Sequence, residues 1–258
     1  MNWINRLQIY RENRSISKAG CCTVDGQTVR LPKTGSALAA DTVCFAPDAV
    51  IPQPVSRNTA FILSESTVQS DTVSTVLSLR EEGLNEEIIA LNFANAMAAG
   101  GGYRLGGDAQ EESLCRCSLL YDAIKGNKQF YRPHRLRPTP FYSDRILVSP
   151  SVPIIRRTDG SLLAVPAECT FLTCAAVNRN FAKLLLRSDK KIVAAMQQRI
   201  EKIITVIAER RPCAAVLGAF GCGMFGNKRQ VILPMFEDAV NRLMPDTVRV
   251  VFADPRNG

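Results

Sequence analysis

Histidine is almost absent from this 258-residue chain, which carries His134 alone. Cysteine is not scarce, at nine residues, yet no two cysteines stand at C-x-x-C spacing. Zinc sites gather Cys and His at short, regular spacings, so no metal site is expected. An odd cysteine count without such spacing points to free thiols in a reducing cytoplasm. The opening residues, Met1-Asn2-Trp3-Ile4-Asn5-Arg6, lack the apolar core of a secretory leader. No stretch approaches the ~20 apolar residues that span a bilayer, so no membrane partner is expected. Internal repeats and low-complexity tracts are missing as well.

What is present is an ordinary globular composition, 46% apolar and 22% charged, which argues against long disorder. Lys and Arg outnumber Asp and Glu by 32 to 24, a net charge of +8. That surplus suits a polyanionic partner such as a phosphate ester, a nucleotide or nucleic acid; it equally serves a basic surface that keeps a chain in solution. Residues 1–20 read as a polar helix and 28–31 as a short strand. The segment 35–56, with Pro47, Pro52 and Pro54, reads as loop-rich. Residues 1–59 are therefore expected to be an N-terminal accessory segment packed on a core domain of residues 60–258.

In that core the pattern predicts strands at 61–63, 87–92, 145–148, 170–176, 213–220 and 248–252, and helices at 72–80, 109–124, 189–210 and 230–243. The helix over 189–210 is the clearest. Ile192, Met196, Ile200, Ile203, Ile204 and Ile207 make one apolar face, Ser188 can cap its start and Pro212 follows its end. Residues 126–144, rich in proline and basic side chains, read as an exposed loop. Strands alternating with helices imply an α/β fold, a central sheet covered on both faces.

Two glycine-rich segments follow predicted strands. The first runs from Asn92-Phe93-Ala94-Asn95 through Gly100-Gly101-Gly102 to Gln110-Glu111-Glu112, joining a buried strand to a helix start. In open α/β sheets ligands sit at such junctions. Consecutive glycines let a backbone approach a ligand closely and offer N–H groups to a phosphate. The helix dipole accounts for one carboxylate at such a place and less readily for two. The second segment, Gly221-Cys222-Gly223-Met224-Phe225-Gly226, matches G-x-G-x-x-G. Only 32 residues follow it, too few for a dinucleotide-binding unit that normally begins with this motif. A phosphate loop outside a Rossmann fold is the expectation, and neither segment ends in the Gly-Lys-Ser/Thr of a triphosphate P-loop.

A triple glycine, seven residues from Tyr103 to Ala109, and then Gln110-Glu111-Glu112 resembles the signature of the poly(ADP-ribose) glycohydrolases. The stretch Gly218-Ala219-Phe220-Gly221-Cys222-Gly223-Met224-Phe225-Gly226-Asn227 resembles the second phosphate loop of their bacterial type. The resemblance implies a macrodomain-like three-layer α/β/α sandwich with a mixed central sheet. It implies Glu112 as catalytic acid and Glu111 as holder of ribose hydroxyls. Asn95 and Asn92 would bind the distal ribose; Gln110 would contribute to the same site. Gly100, Gly101 and Gly102 would approach diphosphate and ribose; Gly221, Cys222 and Gly223 would line the diphosphate, with Phe225 beside the scissile ribose. No metal and no cofactor are implied. Two departures stand out: Asp108 adds a third carboxylate, and Ala98-Ala99 lacks the proline often found before the glycines. The expected partner is poly(ADP-ribose) or ADP-ribosylated protein, with nucleic acid only as an ADP-ribosylated substrate, and the chain is expected to be a monomer. An ADP-ribose reader would use the same loops without the acid. A nucleic-acid binder would rest on net charge alone. The basic residues Lys125, Lys128, Arg132, Arg135 and Arg137 would steer a polyanion or simply solvate a loop.

Overall fold

The computed structural model describes residues 1–52 and 57–256. The chain opens with helix α1 (Trp3–Ala19), capped by the Asn2 side chain and closed by Gly20 in the left-handed conformation. A hairpin of β1 (Cys21–Val24) and β2 (Gln27–Arg30) follows, then α2 (Gly35–Asp41) and β3 (Val43–Phe45). Then come β4 (Thr67–Val68), α3 (Thr72–Glu81) and β5 (Ile88–Phe93). A 3-10 turn at Tyr103–Leu105 leads into α4 (Gln110–Cys117), α5 (Leu120–Ile124) and α6 (Lys128–Leu136). The remainder is β6 (Ile146–Arg156), β7 (Leu162–Cys174), α7 (Arg179–Leu184), α8 (Asp189–Arg210), β8 (Ala214–Leu217), α9 (Arg229–Leu243) and β9 (Arg249–Ala253).

The main sheet has seven strands in the order β3-β6-β7-β5-β8-β9-β4. It is mixed: β3, β6 and β7 pair antiparallel, while β7, β5, β8, β9 and β4 run parallel. Period-two alternation sorts the central strands into two cores. Ile88 and Ala90 of β5, with Ala214 and Val216 of β8, pack toward Val76, Leu114, Leu120 and Phe130. Ile89, Leu91, Ala215 and Leu217 pack toward α8 and α9 through Ile200, Ile203, Ile207 and Phe236. The result is a three-layer α/β/α sandwich. Residues 43–45, within the predicted 1–59 segment, supply the edge strand β3.

Several elements differ from the sequence expectation. Residues 61–63 are not a strand, because side chains of α9 take the place of a partner strand. Asn241 exchanges two hydrogen bonds with the Phe61 backbone (2.7 and 3.0 Å), and Glu237 accepts from Leu63 N–H at 2.9 Å. The stretch 35–56 contains α2 and β3; its residues 53–56 lie outside the described residues. The helix expected over 109–124 breaks at Ser118, which turns extended and bridges Ile154. The expected loop at 126–144 contains α6, capped by Asn127 and buried through Phe130, Tyr131 and His134, with Pro133 inside it. Strands β6 and β7 run much longer than expected, their prolines tolerated beside register shifts in the ladder. Helix α7 has no counterpart in the prediction.

Candidate active site

Strands β5 and β8 are parallel neighbours, so the loops leaving their C-terminal ends lie side by side. The first loop is locked to α4 by Gln110. Its Oε1 accepts from Phe93 N–H (2.9 Å), and its Nε2 donates to the Leu91 carbonyl (2.8 Å) and Thr72 Oγ1 (3.2 Å). The Gln110 amide is thus committed to the end of β5, and this clamp sets the first turn of α4 over the loop.

Glu111 and Glu112 then project into the loop. Glu111 is 3% exposed. Its Oε2 accepts from Asn95 N–H at 2.7 Å, and its Oε1 from Gly100 N–H at 3.2 Å and Asn92 Nδ2 at 3.4 Å. Burial pushes the Glu111 carboxyl up to about 8; the Asn95 N–H opposes this and the neighbouring Glu112 charge adds to it. Glu112 Oε1 accepts from Gly102 N–H at 2.7 Å, while its buried Oε2 has no protein partner among the described residues. Gly101, at φ +53°, separates the two carboxyls: a Cβ there would stand 2.5 Å from Glu112 Oε1 and 3.2 Å from Glu111 Oε2.

The N–H groups of the triple glycine are taken up within the protein. Gly100 and Gly102 donate to the glutamates, and Gly101 N–H goes to the Ala98 carbonyl at 3.0 Å. The two asparagines also take positioning roles. Asn92, fully buried, holds Glu111 and Thr173 Oγ1 (3.1 Å). Asn95 Oδ1 folds back on the N–H groups of Met97 and Ala98, both 2.9 Å away. Asp108, the third carboxylate, is paired with Arg116 at 2.6 Å and with Arg6.

The second loop supplies open donors. Among the described residues, the N–H groups of Gly221, Gly223, Met224 and Phe225 have no protein acceptor, whereas those of Cys222, Gly226 and Asn227 close the loop on itself. Asn227, absent from the predicted set, staples the loop: its Nδ2 donates to the carbonyls of Val177 (2.8 Å) and Gly221 (3.1 Å). Gly221 needs to be glycine, since a Cβ would stand 2.5 Å from Ala176 Cβ. Between this loop and the start of α4 lies a cavity of about 1010 Å³, lined by Asp108, Gln110, Gly221, Phe225, Asp254 and Arg256, among others. That volume suits a dinucleotide-sized ligand. Among the described residues no cluster of three or more His, Cys, Asp or Glu is placed to hold a metal ion.

The sequence model of the microbial-type PARG catalytic domain matches residues 11–157. The chain belongs to this family of poly(ADP-ribose) glycohydrolases. The microbial-type PARG fold is also the one that its solved relatives share. The Thermomonospora curvata glycohydrolase bound to the inhibitor ADP-HPD superposes with a TM-score of 0.84 at 28% identity, covering 98% of this chain and 94% of that one. The Deinococcus radiodurans glycohydrolase in complex with ADP-ribose superposes with a TM-score of 0.73 at 28% identity, covering 89% and 93%. Among curated proteins no relative matches. Asn227, Thr173 and Arg116, which hydrogen-bond to the two loops or to Asn92, were not singled out from the sequence. Only Asn227 had a legible signal, its place directly after the last glycine of the second loop.

Proposed function

We infer that the chain is a glycoside hydrolase that cleaves ribose–ribose O-glycosidic bonds of poly(ADP-ribose) and releases ADP-ribose. The observation that carries this is the Glu111–Glu112 pair clamped by the triple glycine and set beside a cavity edged by open N–H groups. The inhibitor complex of the Thermomonospora relative and the ADP-ribose complex of the Deinococcus relative support an ADP-ribose in this cavity.

In this reading the diphosphate accepts from the amides of Gly221, Gly223 and Met224, which cost no reorganisation because the loop is already stapled. Phe225 packs on the ribose to be released. Glu111 orients that ribose, and Asn92, Asn95, Gly100 and Gln110 hold Glu111 and the loop in place. Glu112 carries the transferable proton on Oε2, the oxygen that lacks a protein partner. It protonates the leaving 2′-oxygen of the preceding unit, the C1″–O bond breaks, and an oxocarbenium-like ribose forms. A water adds to C1″ and returns its proton to Glu112. Burial keeps the Glu111 carboxyl protonated at neutral pH, which removes a negative charge from beside Glu112.

Residues 1–59 act as an accessory segment on the catalytic domain of residues 60–258, with β3 reaching into its sheet. The protein works as a monomer in the cytoplasm, where its nine thiols stay reduced. No described helix is long and apolar enough to cross a membrane. Incubation with poly(ADP-ribose), mono-ADP-ribosylated protein and ADP-ribosylated nucleic acid tests the reading. Free ADP-ribose is expected from the polymer; binding of ADP-ribose with no release from any substrate would make the chain a reader.

A further inference from the structure

Helix α6 was expected to be loop, and its exposed face has no role in the site described above. Lys128, Arg132 and Arg135 stand at i, i+4 and i+7 and are exposed, with Arg137 just beyond the helix. No Asp or Glu occurs between Asp122 and Asp144. Lys125 is paired with Asp122, whereas Lys128, Arg132, Arg135 and Arg137 form no ion pair among the described residues. Phe130, Tyr131 and His134 bury the other face of the helix, so the basic face is held rather than loose.

The position of the helix is as telling as its charge. Arg135 Nε donates to the Met97 carbonyl of the first loop at 2.7 Å. The His134 ring meets Tyr142 at 5.9 Å, and Tyr142 meets Phe225 of the second loop at 6.0 Å. Helix α6 thus touches the first loop directly and reaches the second only through Tyr142, while none of its residues lines the cavity. With the unit to be released in the cavity and its scissile bond at the first loop, α6 is an exposed basic face in contact with that loop.

We propose that the face formed by Lys128, Arg132, Arg135 and Arg137 binds the phosphates of the polymer units that precede the one being released. Each unit adds a flexible diphosphate with two negative charges, and a helix of nine residues is ~13 Å long, of the order of one such unit. Contacts of this kind depend on charge rather than sequence, and weaken with salt. The inference rests on the glycohydrolase reading. It predicts that the enzyme favours long polymer over the shortest substrate through KM rather than kcat.

The test compares native chain, Lys128→Glu/Arg132→Glu and the milder Lys128→Gln/Arg132→Gln on long poly(ADP-ribose) and on a single ADP-ribose carrying an O-linked aryl leaving group, which has no preceding unit. For polymer at low salt, kcat/KM is expected to fall about tenfold in the Glu pair and less in the Gln pair, with kcat unchanged. The slope of log(kcat/KM) against log salt should shrink by about 1.4 in the Gln pair, two phosphate contacts at ~0.7 each. Cleavage of the aryl ADP-ribose should stay within about twofold, because it has no preceding unit to meet these side chains. A native chain that is active, with variants matching it on polymer, overturns the inference alone. So does loss of single-stranded RNA binding in the variants with polymer kinetics intact. A native chain inactive on every ADP-ribosyl substrate overturns the functional reading and this inference with it.

Discussion

At the scale of single residues, the two adjacent glutamates have different surroundings, and their variants should behave differently. Glu112→Gln keeps the bond from Gly102 N–H yet cannot pass a proton. Turnover should drop by about a hundredfold or more, with ADP-ribose affinity in calorimetry little changed. Glu111→Gln sets an NH2 against at least one of the N–H donors of Asn95, Gly100 and Asn92, so binding and rate should both weaken, by about 1–3 kcal/mol in affinity. The pH dependence follows from the Glu111 carboxyl, raised by burial to about 8. A carboxyl whose folded value lies above its unfolded value stabilises the fold fully at acid pH, and that contribution is lost as pH rises through about 8. The melting temperature of the native chain should therefore fall more steeply than that of Glu111→Gln as pH rises from about 5 to about 8, and run parallel to it above that. Two glycines separate steric causes. A methyl at Gly101 would collide with the carboxyl pair, so Gly101→Ala should lose turnover. At Gly223 a Cβ meets only the Arg256 guanidinium, at 3.6 Å. A folded, stable Gly223→Val that no longer binds ADP-ribose would place the diphosphate there, and unchanged affinity would move it elsewhere.

At the scale of elements, α1 braces the catalytic loop from outside. Trp3 Nε1 donates to the Leu105 carbonyl at 2.8 Å, and Arg6 with Arg116 holds Asp108. Asn13, 4% exposed, donates to the Arg116 carbonyl (2.8 Å) and the Tyr103 hydroxyl (3.2 Å) and accepts from Arg156 Nε (2.8 Å). Arg116 in turn donates to the Gly107 carbonyl at 2.5 Å, and Gly107 lies against Glu112 Cγ. Asn13→Ala would leave buried donors and acceptors unmatched, at a cost of about 1–3 kcal/mol. Thermal unfolding should shift down by several degrees, and kcat should fall while wild-type-like affinity for ADP-ribose persists. A variant with lowered stability and full kcat would show that α1 only packs. The sequence showed α1 as a polar helix with a few residues available to dock; it contained no sign that the docking partner was the loop around Glu112.

At the scale of the whole molecule, the nine cysteines are all unpaired, and five are buried outright. Burial pushes Cys117 and Cys174 up to about 12 and Cys222, at the cavity wall, up to about 11. Such thiols are poor nucleophiles at neutral pH. Mass spectrometry of the native protein should show no zinc, and thiol counting after denaturation without reductant should find all nine. Brief treatment of the native chain with iodoacetamide near pH 7 should leave turnover intact. A stoichiometric metal, or rapid inactivation protected by ADP-ribose, would contradict this view of the cysteines.

What could be read from the sequence was whatever depends on short-range pattern. The 3.6-residue period of α8, the apolar runs of β5 and β8, and the two glycine segments at strand-to-helix junctions all obey local rules. The adjacency of Glu111 and Glu112 was likewise visible. What depended on distant partners was not. Residues 61–63 look like a strand until α9 offers side chains in place of one, and 126–144 looks like loop until a buried face for Phe130 and His134 exists. The order of strands is the deepest of these. Pairing of β5 with β8 brings segments more than a hundred residues apart to one edge of the sheet. There the same triple glycine that a local reading assigns to phosphate turns its N–H groups to two carboxylates, because only in the folded chain do those carboxylates lie within hydrogen-bonding reach.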